Sequence, residues 1–210
     1  MLSNNPLFIA IDGIDGCGKS TQAKMLAQYF SDIGLNVFLT KEPGGTEVGN
    51  ILRNILISQK YHLDSISEML LYSADRLEHQ KQIIIPKLGE NTNVISDRFL
   101  SSTYAYQIFG RKLEKNILDE LVKLTVKIFP HYTFILDIKP EVAIERAKNR
   151  LIQHEKMEDE GKFESLKISF FEDVRDGFLW YANNFPGCHI IDADNTVEEI
   201  HKSIKNIIKI

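Results

Sequence analysis

The feature that most constrains this chain is the octet Gly13-Ile14-Asp15-Gly16-Cys17-Gly18-Lys19-Ser20, which fits G-x-x-x-x-G-K-[ST]. The run before it, Leu7–Asp12 (LFIAID), reads as a buried strand, and the stretch after it reads as a helix through about Phe30. Glycines let a backbone close around phosphate oxygens with successive N–H groups pointing inward, and the helix N-terminus adds partial positive charge. In this setting Lys19 supplies a cation to the β and γ phosphates, the Ser20 hydroxyl is a Mg²⁺ ligand, and Thr21 follows on the same turn. The motif predicts an ATP or GTP site and leaves the phosphate acceptor open.

Strand-like and helix-like segments alternate along the rest of the chain, which predicts an α/β fold with a mostly parallel sheet. Leu35–Thr40 is a second strand ending at Pro43-Gly44-Gly45, and Asn93–Ser96 is a third, leading into Asp97-Arg98. Tyr132–Asp137 and Cys188–Asp192 supply the last two. Ser65 and Glu68 are spaced as a capping box for a helix to about Gln82, with Ile66, Met69, Leu70 and Leu77 as its core stripe. Leu113, Ile117, Leu121, Leu124 and Ile128 line one face of another helix. Thr196 and Glu199 cap a final one, with Val197, Ile200, Ile204 and Ile207 inward. The polar segment 151–162 has no clear period and is the expected mobile lid on a single domain, 1–210.

Composition narrows the partners. A formal net charge of −4 gives no surface for gripping a nucleic-acid polymer, so any functional positive charge must be concentrated in a site. The start of the chain lacks a signal-peptide pattern and the apolar runs are too short for a membrane span, so a soluble cytoplasmic protein is expected. Cys17 and Cys188 are far apart and predict no disulfide framework. Cys17 reads as a small residue that fits its loop. The sharper alternative is a reactive thiol, its pKa lowered by the helix N-terminus and Lys19.

Asp97-Arg98 stands where ligands of open α/β sheets bind, at the C-terminal end of a strand, with Ser101-Ser102-Thr103-Tyr104-Ala105-Tyr106-Gln107 just beyond. Tyr72 and Arg76 lie four apart on one shoulder of their helix, and Arg53 stands on the helix after Pro43-Gly44-Gly45. Taken singly, each of these also reads as a rim aromatic, a surface charge or a structural ion pair.

Taken in order and spacing, FIAIDGIDGCGKST, LTKEPGGTEVG, LLYSADRLEH, DRFLSSTYAYQ and LDIKPEVAIERAKNR, followed by KFE and VRDGF, resemble the thymidylate kinase family along nearly the whole chain. The resemblance implies a P-loop fold with a five-stranded, mostly parallel sheet flanked by helices and a short lid. It further implies transfer of a phosphoryl group from ATP to dTMP with Mg²⁺, and a homodimer. By the same resemblance Tyr72 stacks on thymine, Arg76 donates to O4, and Thr103 and Gln107 satisfy the remaining base edge. Tyr106 crowds the place of a 2′-hydroxyl, and Asp15 meets the sugar 3′-hydroxyl or a metal-linked water. Arg53 and Arg98 take the acceptor phosphate, with Glu42, Asp97 and Ser102 also in the substrate site. The family places its catalytic arginine either in the P-loop or in the lid. Gly16 occupies the first place here, so Arg146 or Arg150 is expected to act from the lid. The rival is a deoxynucleoside kinase, whose 5′-hydroxyl acceptor needs a base, a role open to Glu42. The chain has no N-K-x-D motif to favour a GTPase.

Overall fold

A computed structural model describes residues 5–153 and 167–208, with the course of the backbone alone for residues 150–153. Five strands form one sheet: β1 (Phe8–Asp12), β2 (Val37–Lys41), β3 (Asn93–Asp97), β4 (Tyr132–Asp137) and β5 (Cys188–Asp192). Their order is β2-β3-β1-β4-β5 and every pairing is parallel. β1 is buried along its whole length, as a central strand covered on both faces must be. Its alternate residues feed two cores. Ile9 and Ile11 join Leu26, Phe30, Phe134 and Ile204 on one side. Phe8 and Ala10 join Met69, Val94, Phe99 and Tyr104 on the other.

Helix α1 (Lys19–Asp32) follows the Gly-rich loop, and α2 (Glu47–Ile57) packs on α3 (Ser65–His79). A π-helical turn, Gln80–Ile84, joins α3 to the short α4 (Ile85–Gly89). Beyond β3 come α5 (Leu100–Thr103), a second π-helical segment Tyr104–Gly110, and α6 (Lys115–Thr125). The chain continues through α7 (Pro140–Gln153), α8 (Ile168–Asn184) and α9 (Val197–Ile207). No helix among the described residues is long and apolar enough to cross a membrane. Residues 154–162, most of the expected lid, lie outside the described residues.

Three local expectations are corrected. Asp64, not Ser65, caps α3, accepting from the Ile66 N–H at 2.9 Å, and Glu68 is turned inward instead of back to a cap. The stripe read on α3 is also displaced: Ile66 and Leu70 are 42% and 47% exposed, while Glu68, Met69, Ser73, Asp75, Arg76 and His79 are buried. That inner face is mostly polar because it borders the cleft above the sheet, where its charges find partners on other elements. On α6 the inner residue is Leu118, with Leu121 and Val122 packed on the same core, while Leu124 is 68% exposed. The Thr196–Glu199 capping box of α9 is present, and Ile200 and Ile204 are buried as expected, although Val197 faces out.

Candidate active site

The P-loop closes directly over the end of β1. Gly13, Gly16 and Gly18 all adopt positive φ, of 140°, 88° and 99°, a region that side-chain-bearing residues enter at a cost. At Gly16 a Cβ would run into the Ala143 carbonyl on α7, so the backbone itself keeps an arginine out of this position. Lys19 is buried, its Nζ donating to the Ile14 carbonyl at 2.8 Å and lying 3.7 Å from the Asp15 carboxylate. The Cys17 thiol is buried too, and burial raises its pKa despite the nearby Lys19 and Arg98 charges. Desolvation outweighs the helix terminus and the lysine, so the reading of Cys17 as a reactive thiolate is not supported.

Parallel registration brings β3 alongside this loop. Ile11 pairs with Asp97, and the Arg98 N–H donates to the Ile11 carbonyl at 2.9 Å. The Ser20 hydroxyl donates to the Asp97 carboxylate. A hydroxyl and a carboxylate meeting beside a phosphate loop form the hard-oxygen donor set that suits Mg²⁺, which keeps most of its other ligands as water and phosphate oxygens. Among the described residues no cluster of three or more His, Cys, Asp or Glu side chains is placed to hold a metal.

Arg98 leaves β3 with φ 76°, a sharp turn that swings its side chain back over the P-loop. One terminal nitrogen donates to Asp15 and the other to the Ser102 hydroxyl at 2.9 Å, and the guanidinium lies 5.4 Å from the Tyr106 ring centre. Burial works against its charge, but Asp15, Tyr106, Asp12 and Asp97 more than offset it and hold the group protonated. The Tyr106 hydroxyl donates to the other Asp15 oxygen at 3.0 Å, and burial followed by that carboxylate pushes the phenol pKa well up. Asp12, which sequence reasoning missed as strand interior, anchors this corner. Fully buried, it accepts from the backbone N–H groups of Phe99 and Ser102 and from the Ser101 and Ser102 hydroxyls. The signal available was its place as the last residue of a strand entering a phosphate loop.

On the facing side, Arg53 of α2 donates to the Pro43 carbonyl at 3.2 Å. Burial, followed by the Glu68 carboxylate, raises the Tyr72 phenol, which also feels the charges of Arg98, Asp15 and Arg53. Arg76 is only 2% exposed: Nε donates to Glu42 Oε2 at 2.9 Å and Nη2 to the Phe99 carbonyl at 3.2 Å, while Nη1 has no partner among the described residues. Glu42 is equally committed, since its second oxygen meets His79 Nδ1 at 3.0 Å. With both oxygens held, Glu42 is a structural counter-ion for Arg76 and is poorly placed to act as a base. Thr103 and Gln107 are buried in the same region, the Thr103 hydroxyl without a partner among the described residues. His79 and Asp75 complete the network and were not legible in sequence. His79 Nε2 meets Thr40 Oγ1 at 2.7 Å, and Asp75 accepts from the Gly44 N–H at 3.0 Å. Arg146 donates through Nη1 to the Ala193 carbonyl just after β5, at 3.4 Å, and the Arg150 side chain lies outside the described residues.

A phosphate loop at the head of a five-stranded parallel sheet, faced across a cleft by Arg53 and the buried Arg76, defines a P-loop phosphotransferase of the nucleoside-monophosphate kinase kind. Comparison with known proteins narrows this. A family model described as Thymidylate kinase matches residues 11–204, and the chain belongs to the thymidylate kinase family. It is 41% identical over 202 residues to a thymidylate kinase of Maridesulfovibrio salexigens, covering 95% of this chain and 93% of that one. It is 39% identical over 208 residues to one from Wolbachia pipientis subsp. Culex pipiens, covering 97% and 96%. A solved thymidylate kinase from Ehrlichia chaffeensis superposes with a TM-score of 0.78 at 34% identity, covering 98% of this chain and 100% of that one.

Proposed function

We propose that this protein transfers the γ-phosphoryl group of ATP to dTMP, giving dTDP and ADP. Family membership supports the reaction, and one observation carries the choice of acceptor. Glu42, the carboxylate that a 5′-hydroxyl acceptor would need as base, is held on both oxygens by Arg76 and His79. A phosphate monoester needs no such base, because its second pKa is about 6 and it is largely dianionic near neutral pH. The remaining difficulty is bringing two polyanions together, which cations accomplish by positioning and charge stabilisation.

In this reading the backbone of Gly13–Thr21 and Lys19 hold the ATP phosphates, and Ser20 with Asp97 would hold Mg²⁺ between them. When bound, the ion neutralises developing charge on the β and γ oxygens. Arg98 and Arg53 orient the acceptor phosphate, with Asp15 and Ser102 fixing the Arg98 guanidinium. Tyr72 stacks on the base, Arg76 donates to thymine O4 through its uncommitted Nη1, and Thr103 supplies its unpaired hydroxyl to the base edge. Tyr106, pinned through Asp15, excludes a 2′-hydroxyl. The transferring group takes its last cation from Arg150 or Arg146 on the lid side, since α7 packs against Gly16 and leaves no room for one in the P-loop. A cytoplasmic homodimer completes the proposal. The adjoining helices α2 and α3 expose Val48, Ile51, Ile66 and Leu70, an apolar face suited to a second copy.

The test is ATP consumption with Mg²⁺ across nucleosides and nucleoside monophosphates. dTMP should be the best substrate, dUMP poorer, dCMP very poor and thymidine inert. Efficient phosphorylation of thymidine, or of dCMP, overturns the assignment.

A further inference from the structure

Glu68 and Gln107 meet inside the protein, each 1% exposed, one on α3 and the other on the π-helical segment 104–110. Gln107 Nε2 donates to Glu68 Oε1 at 3.0 Å. The Arg111 guanidinium donates to both oxygens of the same carboxylate, each at 3.3 Å. A carboxylate so paired only accepts hydrogen bonds, so it admits the NH₂ end of the glutamine amide and turns the carbonyl end away. No described residue donates to that carbonyl oxygen, Oε1. Two rows spaced by four residues flank it: Glu68, Tyr72 and Arg76 along α3, and Thr103, Gln107 and Arg111 along the facing segment. The Glu68 contacts tie the rows together, and the Thr103 hydroxyl, one step from Gln107, is buried without a partner among the described residues.

We propose that Glu68 is a positioning residue for base recognition, locking the Gln107 amide so that Oε1 accepts from the ring N3–H of the acceptor pyrimidine. The proposal rests on the dTMP reading above and deepens it. With Arg76 as donor to O4, the site presents a donor and an acceptor in fixed order. Thymine and uracil offer the complement, an O4 acceptor and an N3–H donor. Cytosine offers an N4 amine and an unprotonated N3 and is opposed at both atoms. A glutamine without this neighbour could rotate its amide by half a turn and donate to cytosine N3. Glu68 removes that freedom. The sequence hid this role because Glu68 follows Ser65 at the spacing of a capping box.

The experiment compares kcat and KM for dTMP and dCMP in wild type, in Glu68→Gln, and in the charge-neutral double variant Glu68→Gln with Gln107→Glu, all shown to fold by thermal melting. In the single variant the amide at position 107 loses its fixed sense. The dTMP KM should rise about tenfold, the worth of one hydrogen bond, with a smaller change in kcat, and the dTMP-to-dCMP ratio of kcat/KM should fall by a similar factor. In the double variant an acceptor faces N3 again, and the ratio should recover. An unchanged ratio in the single variant, or a lost ratio that the double variant fails to restore, overturns the proposal and leaves Glu68 as a partner for Arg111. A substrate-side measurement needs no variant to fold: 3-methyl-dUMP, with a methyl in place of the N3 hydrogen and both carbonyls kept, should bind wild type at least about tenfold more weakly than dUMP. Equal KM values overturn the N3 contact. Wild-type protein without dTMP turnover overturns the underlying function instead, so the two failures are distinct.

Discussion

Asp75 should make this protein less stable as pH rises from about 4 to about 7, and its replacement by asparagine should remove the effect. The side chain is fully buried, one oxygen accepting from the Gly44 N–H at 3.0 Å and the other without a partner among the described residues. Burial, and then the neighbouring Glu42 carboxylate, raise its pKa from 3.8 to about 7, against the pull of Gly44, His79 and Arg76. A carboxyl with a raised folded-state pKa holds its proton more tightly folded than unfolded. Its ionisation therefore costs stability progressively from about pH 4 to about pH 7, and the loss is constant above that window. The gap is worth on the order of 4 kcal/mol at most. Asp75→Asn keeps the oxygen that accepts from Gly44 and abolishes the titration. Urea unfolding from pH 4.5 to 8 should show the wild type losing stability relative to the variant across this interval, and the variant more stable at pH 8. Curves that run parallel, or a variant that is the weaker at pH 8, would refute the reasoning.

Two further predictions follow from buried groups. Arg76→Ala strands the Glu42 carboxylate in the interior, which should cost about 3–5 kcal/mol and lower Tm by about 10 °C, besides raising the dTMP KM; a Tm within 2 °C of wild type, on the order of 1 kcal/mol, contradicts the buried pair. Cys17 is sealed within the P-loop with its pKa raised by burial, so N-ethylmaleimide should leave kinase activity intact in the folded protein; inactivation that ATP prevents would show the thiol to be accessible.

The P-loop turn and the Thr196–Glu199 box are local patterns that formed where expected because their partners lie a few residues away, and the strands are marked by their own apolar runs although their ladder partners are distant. The α3 stripe was misread for the opposite reason. Apolar spacing marked Ile66 and Leu70 as core, but the face turned inward was decided by Glu42, Gln107 and Arg111, which lie 34, 39 and 43 residues from their partners on α3. Glu42 itself read as an available base until the fold delivered Arg76 and His79 to its two oxygens.

Sequence alone determined that a phosphate loop joins a buried strand to a helix, that five strands alternate with helices in a mostly parallel sheet, and that arginines and tyrosines stand at a spacing that resembles the thymidylate kinase family. Those properties reside in short-range periodicity, in glycine's access to positive φ, and in residue types at fixed offsets. Only the tertiary structure decided how the charges are spent: Arg98 on Asp15, Arg76 on Glu42, Glu68 on Gln107 and Arg111, and Asp12 on the turn after β3. A buried charge is tolerable only beside its partner, and which partner arrives depends on the folding of the whole sheet.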